Sequence, residues 1–244
     1  MDMILVDWTR MGRTYCLAGA VFQDKHWRVV RPLLTKLREA PVRNVGWSAY
    51  LLDGHARWEI MELIGPQLTT PEPPHLEDLW VRAIKSRRSS ASAEQRRAIL
   101  AATAAPPREP IFGSDLASTR TAAYLRPGTG QRSLATLLVP SSQIRFDAVW
   151  RDGISEPDIR VELPLPSLGK RSLAVKDHHL LLKGECAGSD LKQRLEILTA
   201  AMQQMGEPVA VRIGLSRSFP GQAEQPGMCW VMADGFFSLG DPQP

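Results

Sequence analysis

Residues 3–31 read MILVDWTRMGRTYCLAGAVFQDKHWRVVR, and this stretch decides the fold. It contains three runs rich in β-branched and aromatic residues: MILVDWTR, TYCLAGAVF and HWRVVR. They are separated by MGR and QDK, which are short enough for tight turns. Gly12 and Gly19 supply backbone freedom that other residues lack. The expectation is a β-meander at the N-terminus. In a regular strand Trp27, Val29 and Arg31 share one face, and His26, Arg28 and Val30 the other.

Working outward, WEIMELIG (58–65) predicts a fourth strand, and Leu33–Glu39 a helical turn or two before Pro41. Prolines in PQLTTPEPPHLEDLW (66–80) exclude a regular helix or central strand up to about His75, so an extended connection is expected. The Ser/Arg stretch up to residue 91 reads as mobile. A helix follows over 93–104, with Ser92 and Gln95 placed as a capping box and Pro106 and Pro107 ending it. Residues 108–132 are loop-like. Strands resume with SLATLLVP, QIRFDAVWR, DIRVELPLP and RSLAVKD. A second helix is expected near 189–205, where Leu191, Leu195, Leu198 and Met202 form one apolar face and Gly206 and Pro208 end it. PVAVRIGLSRSF and MCWVMADGFFSL close the chain as a hairpin.

These elements predict a mainly β protein with a few helices, built as two small β-barrels. The first spans 1–107, the second 133–244, with 108–132 as linker. At 244 residues the chain is long enough for a sizeable core in each. The net charge of +4 is compatible with nucleic acid without demanding it. The basic excess lies in the first 105 residues, with 15 Lys/Arg against 11 Asp/Glu, whereas the remainder has 15 of each. Cys16, Cys186 and Cys229 form neither a zinc pattern nor a disulfide framework, which predicts reduced thiols and a cytoplasmic protein. The N-terminus has an early acid and only a short apolar run, unlike a signal peptide, and no window is apolar enough to span a bilayer.

Motifs for phosphate loops, dinucleotide binding and the serine-hydrolase elbow are missing from the sequence. RPGTGQR (126–132) reads as a turn. Asp177–His178–His179 places two histidines on opposite sides of a strand and so predicts a strand end or turn. His75, Glu77, Asp78 and His178 are the residues a metal-dependent hydrolase would use, the least favoured of the alternatives. No cofactor, metal or catalytic residue is expected.

HWRVVRP (26–32) combines an indole plane with guanidinium groups, the chemistry of a single-strand nucleic-acid surface. GLSRSF with CWVMADGFF repeats it through Arg217 and Trp230. The candidate contacts are therefore Arg13, Trp27, Arg28, Arg31, Arg217 and Trp230. The competing reading makes Trp27 a core residue and Arg31 a strand-end side chain reaching to solvent. The expected partner is single-stranded nucleic acid or a nucleotide, in a non-enzymatic module. A protein-interaction adaptor within a larger complex is the alternative.

The run RTYCLAGAVFQDKHWRVVRP resembles the opening of the dual OB-containing domain family of bacterial proteins. The likeness rests on the small-residue strand with Cys16, Ala18 and Gly19, then on Trp27, Arg28, Arg31 and Pro32. The two valines between Arg28 and Arg31 depart from that pattern. PPHLEDLW (73–80), SLAVKD (172–177) and the closing RIGLSRSF with CWVMADGFF are similar to further family segments. The resemblance implies two tandem OB-like barrels. It also implies a nucleic-acid or nucleotide-binding role, as an accessory subunit in prokaryotic defence or mobile-element systems. It brings no catalytic residues.

Overall fold

The computed structural model describes the chain except residues 13, 36–45, 53, 68–69, 107–108, 151–155, 187–189, 219–226 and 241–244. The N-terminal meander forms as expected. β1 (Asp2–Met11), β2 (Thr14–Gln23) and β3 (His26–Leu34) pair antiparallel in sequence order. After a short helix α1 (Ala49–Leu52), β4 (Glu59–Ile64) pairs antiparallel with β1. β5 (Asp78–Val81) then lies parallel to β3. Leu76 and Glu77 form the turn that leads into β5.

The Ser/Arg stretch expected to be mobile is instead an edge strand, β6 (Ala83–Ser90), paired with β4. Its side chains are mostly exposed, so it has no apolar alternation to announce it; backbone hydrogen bonds to β4 hold it. Helix α2 (Ala93–Ala102) begins at the expected capping box, in which Ser92 Oγ accepts from Gln95 N and Gln95 Oε1 accepts from Ser92 N.

The second half contains a meander of its own, wired partly as in the first. A small hairpin, β7 (Ala117–Ser118) and β8 (Ala123–Leu125), adds to the last strand. β9 (Leu134–Val139) and β10 (Arg145–Val149) are separated by a short 3-10 turn. β10, β11 (Asp158–Leu165) and β12 (Gly169–Val175) make an antiparallel meander. Two helices follow, α3 (His178–Cys186) and α4 (Leu191–Gln204). β13 (Val209–Leu215) then pairs antiparallel with β9, and β14 (Cys229–Ser238) lies antiparallel to β13 and parallel to β12. The expected turn at Asp177–His178–His179 is the start of α3, where the Asp177 carboxylate accepts from Leu180 N.

In the first half a three-stranded meander leads through helix to a fourth strand, β4, that returns to the meander's first strand, β1; in the second the strand after the helices, β13, returns to β9, which precedes the meander. In both, the strand that follows the returning one runs parallel to the last strand of the meander, β5 to β3 and β14 to β12. Both sheets curl into half-barrels. Each has its own core. The first is filled by Met3, Leu5, Trp8, Leu17, Leu34, Met61, Leu63 and Val81. The second is filled from both sheet and helices, including Phe112, Val161, Leu163, Leu173, Leu198, Met202, Val211 and Phe236.

A third cluster lies between the halves: Ile4, Val6 and Ala20 from the first meet Ala210 and Phe237 from the second, with Ile99 and Leu100 of α2 beside them. Strand alternation explains it. Along β1, Met3 and Leu5 point into the first barrel while Ile4 points out, and the outward residues are buried by the neighbouring half. A bulge between Leu5 and Asp7 shifts the register, so that Asp7 sits opposite Ala18 and Thr9 opposite Cys16, on the same outward face. Among the described residues, no helix is long and apolar enough to cross a membrane.

Candidate functional site

The seam between the halves turns from apolar to ionic along its length. Asp7 projects from β1 and is held by Arg212 of β13, whose Nη2 donates to Oδ2 at 2.8 Å and whose Nε lies 3.1 and 3.2 Å from the two carboxylate oxygens. Arg212 Nη1 also donates to Thr136 Oγ1 at 3.2 Å. Both charged groups are fully buried. A pair taken this far out of water needs its hydrogen-bonding groups satisfied, and the fork geometry of arginine does that.

Arg31, from β3, is 4% exposed and also lies in the seam. It contacts Asp78 of β5 at 3.3 Å and Glu77 at 3.9 Å, and donates to Ser133 Oγ across the seam. Its Nη2 lies 3.0 Å from His75 Nδ1, so that nitrogen accepts and the ring proton sits on Nε2. Burial, with the Arg31 and Arg217 charges beside it, lowers the His75 pKa to about 2, which keeps the ring neutral. Burial works against the Arg31 charge, but Asp78 and Glu77 outweigh it and hold the guanidinium above its ordinary value. Glu77 accepts from Ser133 N at 2.7 Å and Ser133 Oγ at 2.9 Å, and Arg217 donates to Asp78 at 2.6 Å. The two halves are thus cross-linked by charge.

Beside this network is a cavity of about 280 Å3. Its buried part is made by Asp7, Ala18, Arg31, Leu134, Leu215, Met232 and Asp234, and its more exposed part by Met11, Gly12, Thr14, Cys16, Lys176 and Arg217. The walls are apolar, with a few charged groups converging on them, the usual make-up of a small-molecule site. Asp234 is 4% exposed, and its Oδ1 has no hydrogen-bond partner among the described residues. Burial, reinforced by the nearby Asp7 charge, pushes its pKa up to about 8. Cys16 contributes its sulfur, but burial pushes its thiol up and keeps it protonated, a poor nucleophile. Ser216 Oγ accepts from Trp230 N at 2.9 Å, a structural role.

The residues expected to contact nucleic acid do not gather on one surface. Arg31 lines the cavity from inside, and Arg217 lines it half-exposed. Trp27 is half-buried at the other end of β3, where it packs on Phe22 at 5.1 Å and against the seam cluster. Arg28 is exposed and pairs with Asp24 at 3.3 Å. Trp230 packs edge-on against Tyr124 at 5.2 Å. Arg13 lies outside the described residues.

The residues considered for a metal are taken up otherwise: His75 by Arg31, Glu77 by Ser133, and Asp78 by Arg31 and Arg217. His178 stacks on Trp8 with ring centroids 4.9 Å apart. Among the described residues, no group of three or more His, Cys, Asp or Glu side chains is arranged to hold a metal ion.

Sequence reasoning passed over Asp7, Lys176, Arg212 and Asp234. A signal for three of them was present: ILVDWT, VAVRIG and VMADGF each set one charge inside an otherwise apolar strand. Such a charge is rarely buried without a partner or a ligand. The pairing itself was illegible, because Asp7 and Arg212 are 205 residues apart. No protein-family model, curated protein or solved structure matches this chain.

Proposed function

We propose that the chain is a binding module for a nucleotide, held in the cavity between two OB-type half-barrels. The wiring the halves share, an antiparallel meander whose last strand pairs parallel with a later strand, supports the OB assignment. In such barrels the face of the second and third strands is the usual ligand surface. Here the corresponding face of the first half, through Cys16, Ala18 and Arg31, forms a wall of the cavity. That coincidence is the observation that carries the proposal.

Lys176 and Arg217 are the half-exposed cations of the cavity. Among the described residues each has one aspartate contact, Asp158 at 3.4 Å and Asp78 at 2.6 Å. An ammonium carries three N–H donors and a guanidinium five, so one such contact leaves capacity for a phosphate. The apolar walls suit a flat base. A mononucleotide is favoured over a long strand because Trp27, Arg28 and Trp230 are dispersed rather than aligned along a groove. An accessory role in a prokaryotic defence or mobile-element system is the setting the sequence resemblance suggests.

The test is equilibrium dialysis with labelled mononucleotides and a labelled single-stranded oligonucleotide over a salt series, for wild type, Lys176→Ala and Arg217→Ala. Each variant is expected to bind a mononucleotide about tenfold more weakly, the loss of one charge-assisted contact. No mononucleotide binding by wild type at low salt overturns the proposal. The adaptor reading is favoured by one observation, the exposed aromatic rings of Phe22 and Trp150, each 62% accessible.

A further inference from the structure

We propose that Asp234 is the specificity-determining residue of the cavity, and that it selects a flat heterocycle presenting a hydrogen-bond donor next to an acceptor. This inference rests on the nucleotide reading and deepens it. In a base, the amidine edge of adenine or cytosine has this pattern.

The argument begins with what surrounds the carboxyl. Asp234 projects from β14 over Gly214 of β13, so close that a Cβ on Gly214 would fall 1.8 Å from Oδ2. Only glycine leaves that space. Asp7 faces Asp234 from β1, Cys16 from β2, Arg31 from β3, Arg212 from β13, and Asp177 from the turn after β12. The two arginines are engaged elsewhere, Arg212 by Asp7 and Arg31 by Asp78, Glu77 and His75. No ion pair to Asp234 occurs among the described residues, and its Oδ1 is left without a partner. An orphaned acceptor at this depth costs free energy in the empty protein, and a ligand group that satisfies it recovers that cost.

With its pKa raised to about 8, the carboxyl is mostly neutral at pH 7. A neutral carboxyl has one O–H donor and one carbonyl acceptor side by side. It therefore forms a two-point pair with a ring nitrogen that accepts and an exocyclic amine that donates. An ionised carboxylate accepts only, and confronts the ring nitrogen with like lone pairs. Ligand affinity consequently falls as pH rises through about 8. Asparagine has the same shape and the same donor–acceptor pair at every pH, so Asp234→Asn isolates the proton from the packing.

The experiment measures binding of AMP, CMP and purine riboside monophosphate, which lacks the exocyclic amine, at pH 7.0 and 9.5. In both conditions the ligand phosphate is a dianion. Wild type is expected to lose roughly 30-fold in AMP affinity between these pH values, the fraction of neutral acid left at pH 9.5. Asp234→Asn is expected to bind AMP at both, with the dependence flattened to under about threefold, whereas Asp234→Leu loses about tenfold at pH 7.0. Purine riboside monophosphate is expected to bind wild type about tenfold more weakly than AMP, and Asp234→Leu no differently from AMP.

Equal affinity for AMP and purine riboside monophosphate in wild type overturns the inference while leaving the nucleotide reading intact. So does a pH response in Asp234→Asn identical to wild type. Absence of binding by every nucleotide at pH 7.0 overturns the nucleotide reading itself. Carboxyl 13C chemical shifts of the wild-type protein give a check that needs no variant. A buried aspartate titrating near neutral pH supports the inference, and all aspartates ionised by pH 6 refute it.

Discussion

The two halves share a three-stranded meander with a parallel partner for its last strand, but they treat the same face in opposite ways. On β2 the outward positions hold Cys16, Ala18 and Ala20, small groups on which the second half lies down. On β11 and β12 the corresponding outward positions hold Arg160, Glu162, Lys170 and Ser172, which bond to one another: Arg160 to Ser172 at 2.8 Å and Lys170 to Glu162 at 3.3 Å. Inward positions are alike, because any barrel must fill its interior. The size and charge of outward residues decide whether a barrel face becomes a seam or stays in water. The seam in turn gives the protein its cavity.

The largest effect is expected where the seam is ionic. Arg212→Met leaves Asp7 buried without its partner and should cost about 3–5 kcal/mol in urea unfolding. Adding Asp7→Asn should restore most of that loss, because the uncompensated charge is gone. A single mutant as stable as wild type would show that the seam is open to water and that the halves are not joined this way.

Next comes steric contrast. Ala20→Leu overfills the seam and should cost about 1–3 kcal/mol. Lys170→Leu, on the exposed outward face of the second half, should stay within about 0.5 kcal/mol. Equal costs would erase the distinction between the two faces.

The pH response sharpens the comparison further. Asp234 has a folded pKa of about 8 against an ordinary 3.8, so the folded state holds a proton that the unfolded state has released. Its favourable contribution is fully present below 3.8 and is lost as pH rises through 8. His75 is depressed from 6.5 to about 2, so its contribution is present above 6.5 and lost as pH falls toward 2. Between pH 6.5 and 8 the Asp234 effect dominates, and stability should fall by about 1–2 kcal/mol. Asp234→Asn should remove that slope in thermal unfolding. An unchanged slope in the variant would place its origin elsewhere.

The smallest effect belongs to the hairpin tip. Arg28 pairs with Asp24 in full view of solvent, and Arg28→Ala should change stability by no more than about 0.5 kcal/mol.

The fold was legible where burial is one-sided. Alternation in residues 3–31 and 158–175 marked the strands, and Ser92 with Gln95 marked the start of α2. β6 was not legible, because an exposed edge strand such as AIKSRRSS has no apolar face and is specified by its neighbour's backbone. α3 was hidden by the histidines of DHHLLL, although Asp177 is an ordinary helix cap. Arg31 and Arg217 were singled out in the sequence as nucleic-acid contacts, and both line the cavity. Their setting, a cavity between the halves, depends on contacts across the whole chain that no local pattern encodes.

Separation along the chain also sets a clock. Asp7 leaves the ribosome 205 residues before Arg212 does. At about 5–20 residues per second that is roughly 10–40 s of synthesis, far longer than a small barrel needs to collapse. For the later part of that interval, once β6 is made at Ser90, the first half carries Asp7 and Arg31 on what will become an interior face. Those charges keep the waiting surface wetted and discourage it from seizing another nascent chain, so the residues that later lock the seam also guard it while it is incomplete.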